Sequence, residues 1–280
     1  MNRLRIPFSK MQGLGNDFVV IDQVTNPQYL NTQQIQKLAD RHYGIGCDQL
    51  IYVEAPMRPD VDFHYRVFNA DGHEVEHCGN GARCFYRFVR EHQLSWKGRL
   101  RVSTETGSVL EMTQGPNGMV CVEMDEPQFN TKQIPVTQQK QQLNYKLKVA
   151  DEIISVGLVS MGNPHCVILV NDIEKAPVSE LGPVIGQHPW FPEGVNVGFM
   201  EVLNPVRIKL RVFERGSGET QACGTGACAA LAIGRQHGWL DERVRIEQPG
   251  GNLQLNWKGA GHRLKMTGSA VTVFEGIIEL

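Results

Sequence analysis

Short runs rich in β-branched and aromatic residues recur along the chain between Gly, Pro, Asp and Asn. Residues 18–22, 50–53, 62–69, 100–103, 109–112 and 119–124 have this character, which predicts strands. Two stretches break the pattern, and both follow a Cys-Gly-x-Gly sequence. In 82–93, Phe85, Phe88 and Val89 fall on one helical face, so an amphipathic helix is predicted there. Within 227–237, Ala227-Cys228-Ala229-Ala230-Leu231-Ala232-Ile233 is apolar on every side, as expected for a helix enclosed by sheet.

The two cysteine turns are copies of one another. Phe68-Asn69-Ala70-Asp71-Gly72-His73-Glu74-Val75-Glu76-His77-Cys78-Gly79-Asn80-Gly81-Ala82 lies without a gap over Phe213 to Ala227, with Phe, Glu, Cys, both Gly and Ala matched at an offset of 145, which is 223 − 78. Gly15-Asn16 falls on Gly162-Asn163 and Gln49 on Asn196 at an offset of 147 (163 − 16), and Arg101-Val102 with Gly107 falls on Arg245-Ile246 with Gly251 at 144 (251 − 107). Three ordered regions at nearly one offset indicate an ancestral half of roughly 140 residues used twice. The expected fold class is α+β: two homologous, pseudo-symmetric domains, each a mixed or antiparallel sheet or barrel wrapped around a central helix. Their expected extents are 1–124 with 268–280, and 125–267. Residues 125–159 are expected to join the repeats, and the last residues to form an added tail.

Charge narrows the partners. With 28 Lys+Arg against 30 Asp+Glu the formal charge is −2, and no basic stripe is present, which argues against a nucleic-acid partner. The start of the chain has no apolar stretch of the kind a secretory signal needs, so a cytoplasmic protein is expected. The longest apolar runs, such as 166–170, fall far short of the roughly 20 residues of a membrane span, so no membrane partner is expected either. The seven cysteines (47, 78, 84, 121, 166, 223 and 228) are odd in number and include no Cys-x-x-Cys pair. Thiols are expected, without a disulfide framework or a metal site.

A lone Gly-x-Gly is most simply a tight connection, and the phosphate-loop pattern is absent. Duplication with the cysteine kept points to chemistry instead. Backbone N–H groups at the head of a helix form a seat for an anion such as a carboxylate, and their field lowers a thiol pKa from about 8.5 toward neutrality. A two-fold relation between the halves would set Cys78 and Cys223 on opposite faces of a small substrate. Inverting a stereocentre by deprotonation needs such a reversible pair, one thiolate and one thiol.

Gly13-Leu14-Gly15-Asn16-Asp17-Phe18, Gly44-Ile45-Gly46-Cys47-Asp48-Gln49, Phe68-Asn69-Ala70-Asp71-Gly72, Cys78-Gly79-Asn80-Gly81-Ala82-Arg83-Cys84, Gly162-Asn163-Pro164-His165, Asn196-Val197-Gly198-Phe199 and the run from Glu214 to Gly226 together resemble the diaminopimelate epimerase family over nearly the whole chain. The resemblance implies a cofactor-independent homodimeric epimerase that interconverts LL- and meso-2,6-diaminopimelate in lysine and peptidoglycan precursor synthesis. It implies Cys78 and Cys223 as the acid/base pair, supported by His165 and Glu214. It implies substrate binding by Asn16, Gln49, Asn69, Gly79, Asn80, Asn163, Asn196, Glu214, Arg215, Gly224 and Thr225. Cys47 stands where the family commonly has alanine and is expected to pack without chemistry. Arg215 suits a distal carboxylate, and the asparagines suit amide recognition, although such residues also cap turns. Two other readings stay open: a proline racemase or hydroxyproline epimerase, whose cyclic substrate has no use for Arg215, and a thiol redox switch or binding protein.

Overall fold

The computed structural model describes residues 4–75 and 78–280; Met1 to Arg3, and Glu76 and His77 of the repeated motif, lie outside the described residues. The chain divides into two compact units, Met1–Glu123 with Thr267–Leu280, and Met124–Met266.

In the first unit β1 (Arg5–Gly13) and β2 (Asn16–Asp22) form a hairpin. Next come α1 (Thr32–Ala39), β3 (Gln49–Glu54), β4 (Phe63–Asn69), the short β5 (Glu74–Val75), α2 (Gly79–Glu91), β6 (Arg99–Thr104), β7 (Val109–Gln114) and β8 (Val120–Met124). The second unit runs through β9 (Tyr145–Val149), β10 (Glu152–Ser160), β11 (Pro164–Leu169), α3 (Val178–Gly186), β12 (Asn196–Asn204), β13 (Arg207–Glu214), β14 (Gly218–Thr220), α4 (Gly224–Gln236), β15 (Arg243–Gln248) and β16 (Gly251–Asn256). The chain continues through β17 (Leu264–Gly268) to β18 (Val271–Glu279), which pairs antiparallel along β1 in the first unit.

The repeat is visible in the hydrogen-bond register. In the first unit the order is β18-β1-β2-β3-β4-β6-β7-β8, with β2/β3 and β4/β6 parallel and the other neighbours antiparallel. The second unit repeats this as β9-β10-β11-β12-β13-β15-β16, with β11/β12 and β13/β15 parallel. Phe18 lies opposite Gln49 in the first unit, and His165 opposite Asn196 in the second, the same pairing 147 residues on. Both units are therefore α+β, each a mixed sheet packed around one helix. β1, β2, β3, β7 and β18 pack on α2, and β10 to β13 with β16 pack on α4.

Each predicted strand run falls on a strand, with boundaries within a few residues. Three expectations need correction. Residues 125–159 are more than a joining segment, because they hold β9 and most of β10; the C-terminal tail is likewise a full strand of the first sheet. Both central helices also start three residues earlier than their apolar patterns suggested, at Gly79 and Gly224. Glycine's poor helix propensity conceals these first turns in the sequence.

Burial matches the patterns. Ala227 to Gly234 of α4 are all buried, while α2 buries Phe85, Phe88 and Val89. Val19, Ile21, Ile35, Leu38, Cys47, Leu50 and Tyr52 share one core cluster in the first unit, and Leu147, Val156, Cys166, Ile185, Val197 and Phe199 share one in the second. Among the described residues, no helix is long and apolar enough to cross a membrane.

Candidate active site

Cys78 is the N-cap of α2, with extended backbone at φ −128° and ψ 121°. Its carbonyl accepts from Ala82 N (2.8 Å) and from the buried Tyr65 Oη (3.2 Å). The second glycine of the motif makes this possible: a Cβ on Gly81 would lie 2.4 Å from Tyr65 Oη. Its repeat partner Gly226 is confined in the same way, by Val212 and by Cys223 Sγ. That glycine serves close packing as well as any backbone exposure.

The β1/β2 hairpin turns through Leu14 (φ 58°) and Gly15 (φ 83°), the two-residue positive-φ geometry that follows strand twist. It delivers Asn16 beside Cys78. Asn16 Nδ2 donates to Asp48 Oδ2 (2.8 Å), and Asn16 Oδ1 accepts from Cys78 Sγ (3.5 Å) and Asn80 Nδ2 (3.3 Å). Gln49 and Asn69 face each other across β3/β4, and Gln49 Nε2 donates to Asn69 Oδ1 at 2.9 Å. Gln49 Oε1 is buried with no hydrogen-bond partner among the described residues, which leaves an acceptor for a ligand's N–H. Gly79 heads α2, and its carbonyl accepts from Arg83 Nη1 (3.4 Å).

Cys223 is the N-cap of α4, but its surroundings differ. Its Sγ donates to Glu214 Oε2 (3.0 Å), accepts from Gly226 N (3.3 Å) and lies 3.6 Å from Thr225 Oγ1. Thr220 Oγ1 holds the other Glu214 oxygen at 2.5 Å, and Gln248 Oε1 accepts from Cys223 N at 2.9 Å. Gly224 forms the first residue of the helix behind the thiol. Asn163 Nδ2 donates to Thr225 Oγ1 (3.5 Å), and Asn163 Oδ1 pairs with His165 Nε2 (3.0 Å). Asn196 Nδ2 donates to Pro164 O (3.2 Å), and Asn196 Oδ1 accepts from Arg215 N (2.9 Å), fixing the turn that carries the exposed Arg215 side chain. Arg215 Nη1 donates to Glu193 O at 2.8 Å.

Within the first unit, then, Asn16, Asn80 and Gly79 gather around Cys78, with Gln49 and Asn69 paired on the neighbouring strands. Within the second, Glu214, Thr225 and Gly224 gather around Cys223, Asn163 links Thr225 to His165, and Asn196 links to Arg215. The structure corrects the expected electrostatics of the second thiol. Burial pushes the Cys223 thiol well above its usual pKa, and the Glu214 charge adds to this; Thr225 and Gly226 N pull the other way without prevailing. A helix N-terminus alone does not bring this cysteine toward neutrality. His165 is driven down to about 3 by burial and then by Arg215, so its imidazole is neutral. All seven cysteines are free thiols. Cys47 packs in the core with its pKa pushed up to about 12 by burial; Cys84, Cys166 and Cys228 are buried, and Cys121 is half-buried. Among the described residues, no group of three or more His, Cys, Asp or Glu side chains stands close enough to hold a metal ion.

Sequence reasoning did not single out Tyr65, Arg83, Asp48 or Gln248. Arg83 carried a usable signal, being a charged residue beside the apolar face of a helix; it is fully buried, with Nε donating to Ser269 O at 3.0 Å. The sequence pattern of the diaminopimelate epimerase family matches residues 8–130 and 157–273. The chain belongs to that family. It is thus a member of an epimerase family, isomerases by reaction class. Its fold is also that of a PhzF-family phenazine biosynthesis protein from Bacillus anthracis, at 18% identity over 99% of this chain and 100% of that one, with a TM-score of 0.72. A hydroxyproline epimerase from Agrobacterium vitis is similar at 14% identity over 99% and 93% of the two chains, TM-score 0.72. A probable proline racemase from Agrobacterium radiobacter K84 is similar at 16% identity over 98% and 92%, TM-score 0.70. At these identities the likeness concerns the fold.

Proposed function

We propose that the protein interconverts LL- and meso-2,6-diaminopimelate without a cofactor, with Cys78 and Cys223 as the two acid/base groups. The observation that carries this reading is the repeated N-cap cysteine, a thiol at the head of each central helix, one beside the Asn16 amide and the other beside the Glu214 carboxylate. Family membership supports the substrate. Arg215 supports it too, because an exposed guanidinium on a fixed turn suits a distal carboxylate.

In this mechanism one cysteine removes the α-proton as a thiolate and the other delivers a proton to the opposite face as a thiol. The two then hold each other's initial protonation states, and exchange with solvent resets them. Glu214, 3.0 Å from Cys223 Sγ, is the acceptor for that thiol's proton. An α-proton beside a carboxylate is very weakly acidic, so the developing negative charge needs fixed N–H donors in a site shielded from water. The amides at the starts of α2 and α4 are suited to this, and Gln49 Oε1 to a substrate ammonium.

The test is deuterium incorporation at the α-carbon of diaminopimelate in heavy water under reducing conditions. Wild-type protein should exchange that hydrogen, and Cys78→Ala or Cys223→Ala should abolish epimerisation with the fold intact. No exchange by wild-type protein would end this reading. Exchange on proline or trans-4-hydroxyproline in place of diaminopimelate would replace the substrate.

A further inference from the structure

The amide of Asn16 is oriented by ions at both ends of a short chain of hydrogen bonds. Asp48 is a carboxylate and can only accept, so the Asn16 group facing it at 2.8 Å must be the NH2. Arg83 is a guanidinium and can only donate, so the Asn80 group facing its Nη2 at 2.9 Å must be the carbonyl. Asn80 therefore turns its NH2 to Asn16 Oδ1 (3.3 Å), and the same oxygen faces Cys78 Sγ (3.5 Å).

Both anchors are themselves held. Asp48 accepts from Arg41 Nη2 (2.8 Å) and from Asp17 N (3.1 Å), while Asp17 accepts from Arg41 and from the buried Lys10, whose Nζ also reaches Gly46 O. Arg83 is tied to Gly79 O and Ser269 O. Tyr65, on the far side, spends its hydroxyl on Cys78 O.

The second unit shows that the fold does not require this arrangement. At the repeat offsets, Asp48 corresponds to Val195 and Arg83 to Cys228, so both ions are missing there. The equivalent amide, Asn163, turns its carbonyl to His165, and Cys223 meets a carboxylate instead.

We propose that Asp48 and Arg83 are positioning residues that lock the Asn16 carbonyl toward Cys78 and so favour the protonated thiol. A carbonyl oxygen accepts from a thiol and repels a thiolate, whereas an amide NH2 in its place would stabilise the thiolate. Rotation of Asn16 is opposed in the wild type because it would set its carbonyl against Asp48. Combined with the proposed function, on which this consequence rests, Cys78 is held ready as a proton donor.

The test follows the pH dependence of Cys78 alkylation by iodoacetamide in the full chain, resolved by peptide mass spectrometry. Asp48→Asn should lower the midpoint by about one pH unit, the scale of one charge-assisted hydrogen bond. Asp48→Glu, which remains acceptor-only, should keep the wild-type midpoint. Loss of the Asp48 charge would itself favour the thiolate, so the deciding comparison is made in an Asn16→Ser background, where Asp48→Asn should have little further effect. An equal shift in both backgrounds, or an unmoved midpoint in folded Asp48→Asn, overturns the proposal. If Asp48→Asn does not fold, Asp48→Ala at this half-exposed position carries the same comparison. The readout needs no substrate, so failure here is separate from failure of the deuterium assay.

Discussion

Gly81→Ala should destabilise the first unit through a single collision. The added Cβ would sit 2.4 Å from Tyr65 Oη, with Ile51 Cδ1 and Phe18 Cε1 each at 3.2 Å. Tyr65 has 0% exposure, so its ring cannot swing into solvent to make room. Moving it breaks the bond from Tyr65 Oη to Cys78 O, the carbonyl that caps α2. Overpacking costs about 1–3 kcal/mol, and a buried hydroxyl left unpaired a further ~1–3 kcal/mol. Alanine's better helix propensity returns up to about 1 kcal/mol, which leaves a net loss near 3 kcal/mol. At about 2–4 °C per kcal/mol, the unfolding transition of that unit should fall by roughly 6–12 °C in a calorimetric scan. The double variant Tyr65→Phe/Gly81→Ala removes the colliding oxygen and should melt above Gly81→Ala alone, although Tyr65→Phe by itself is mildly destabilising. A Gly81→Ala protein that melts with the wild type, or no recovery in the double variant, refutes the reasoning.

Two further outcomes are expected from the second unit. Glu214→Gln removes a charge 3.0 Å from Cys223 Sγ that raises its pKa, so the pH midpoint for Cys223 alkylation should drop by about 1–2 units while epimerisation slows by about 10²–10⁴-fold; an unchanged midpoint would show that Glu214 does not govern the thiol. His165 has its folded pKa lowered from 6.5 to about 3, so the unfolded chain binds a proton first as the medium is acidified. Its contribution is fully present above pH 6.5 and is lost as the pH falls toward 3, up to about 5 kcal/mol in total. Urea denaturation across that range should be flatter for His165→Gln, and an identical acid slope in the variant would contradict the buried neutral imidazole.

What could be read from the sequence depended on whether a feature had a local signature. The repeat did, because the residues that fix a strand-to-helix turn sit close together and recur at nearly one offset. β1 did not: its buried positions include Ser9 and Lys10, which are satisfied by partners such as His92 and Asp17 rather than by apolar neighbours, so the strand shows no clean alternation. The first turns of α2 and α4 were concealed by glycines whose purpose is tertiary. Side-chain polarity around the thiols was hidden for a related reason. Asn16, Asp48, Asn80 and Arg83 come from three separate elements or loops, and only folding reveals that two ions set the direction of the amides between them. The contrast between Asn16 at one thiol and Glu214 at the other likewise runs against the symmetry that made the repeat visible.

The pairing of β18 with β1 also sets an order for assembly. Leu4 and Leu280 exchange backbone hydrogen bonds at 3.2 and 2.9 Å, so the first unit is built from both ends of the chain while the second is continuous in sequence. During synthesis the second unit can complete itself before β18 emerges, but the first cannot. Ser269, in the loop leading into β18, accepts from Arg83 beneath the Cys78 helix. The surroundings of Cys78 are thus finished only when β18 is added, whereas Glu214, Thr225, Gly226 and Gln248, which meet Cys223, all lie within the continuous second unit.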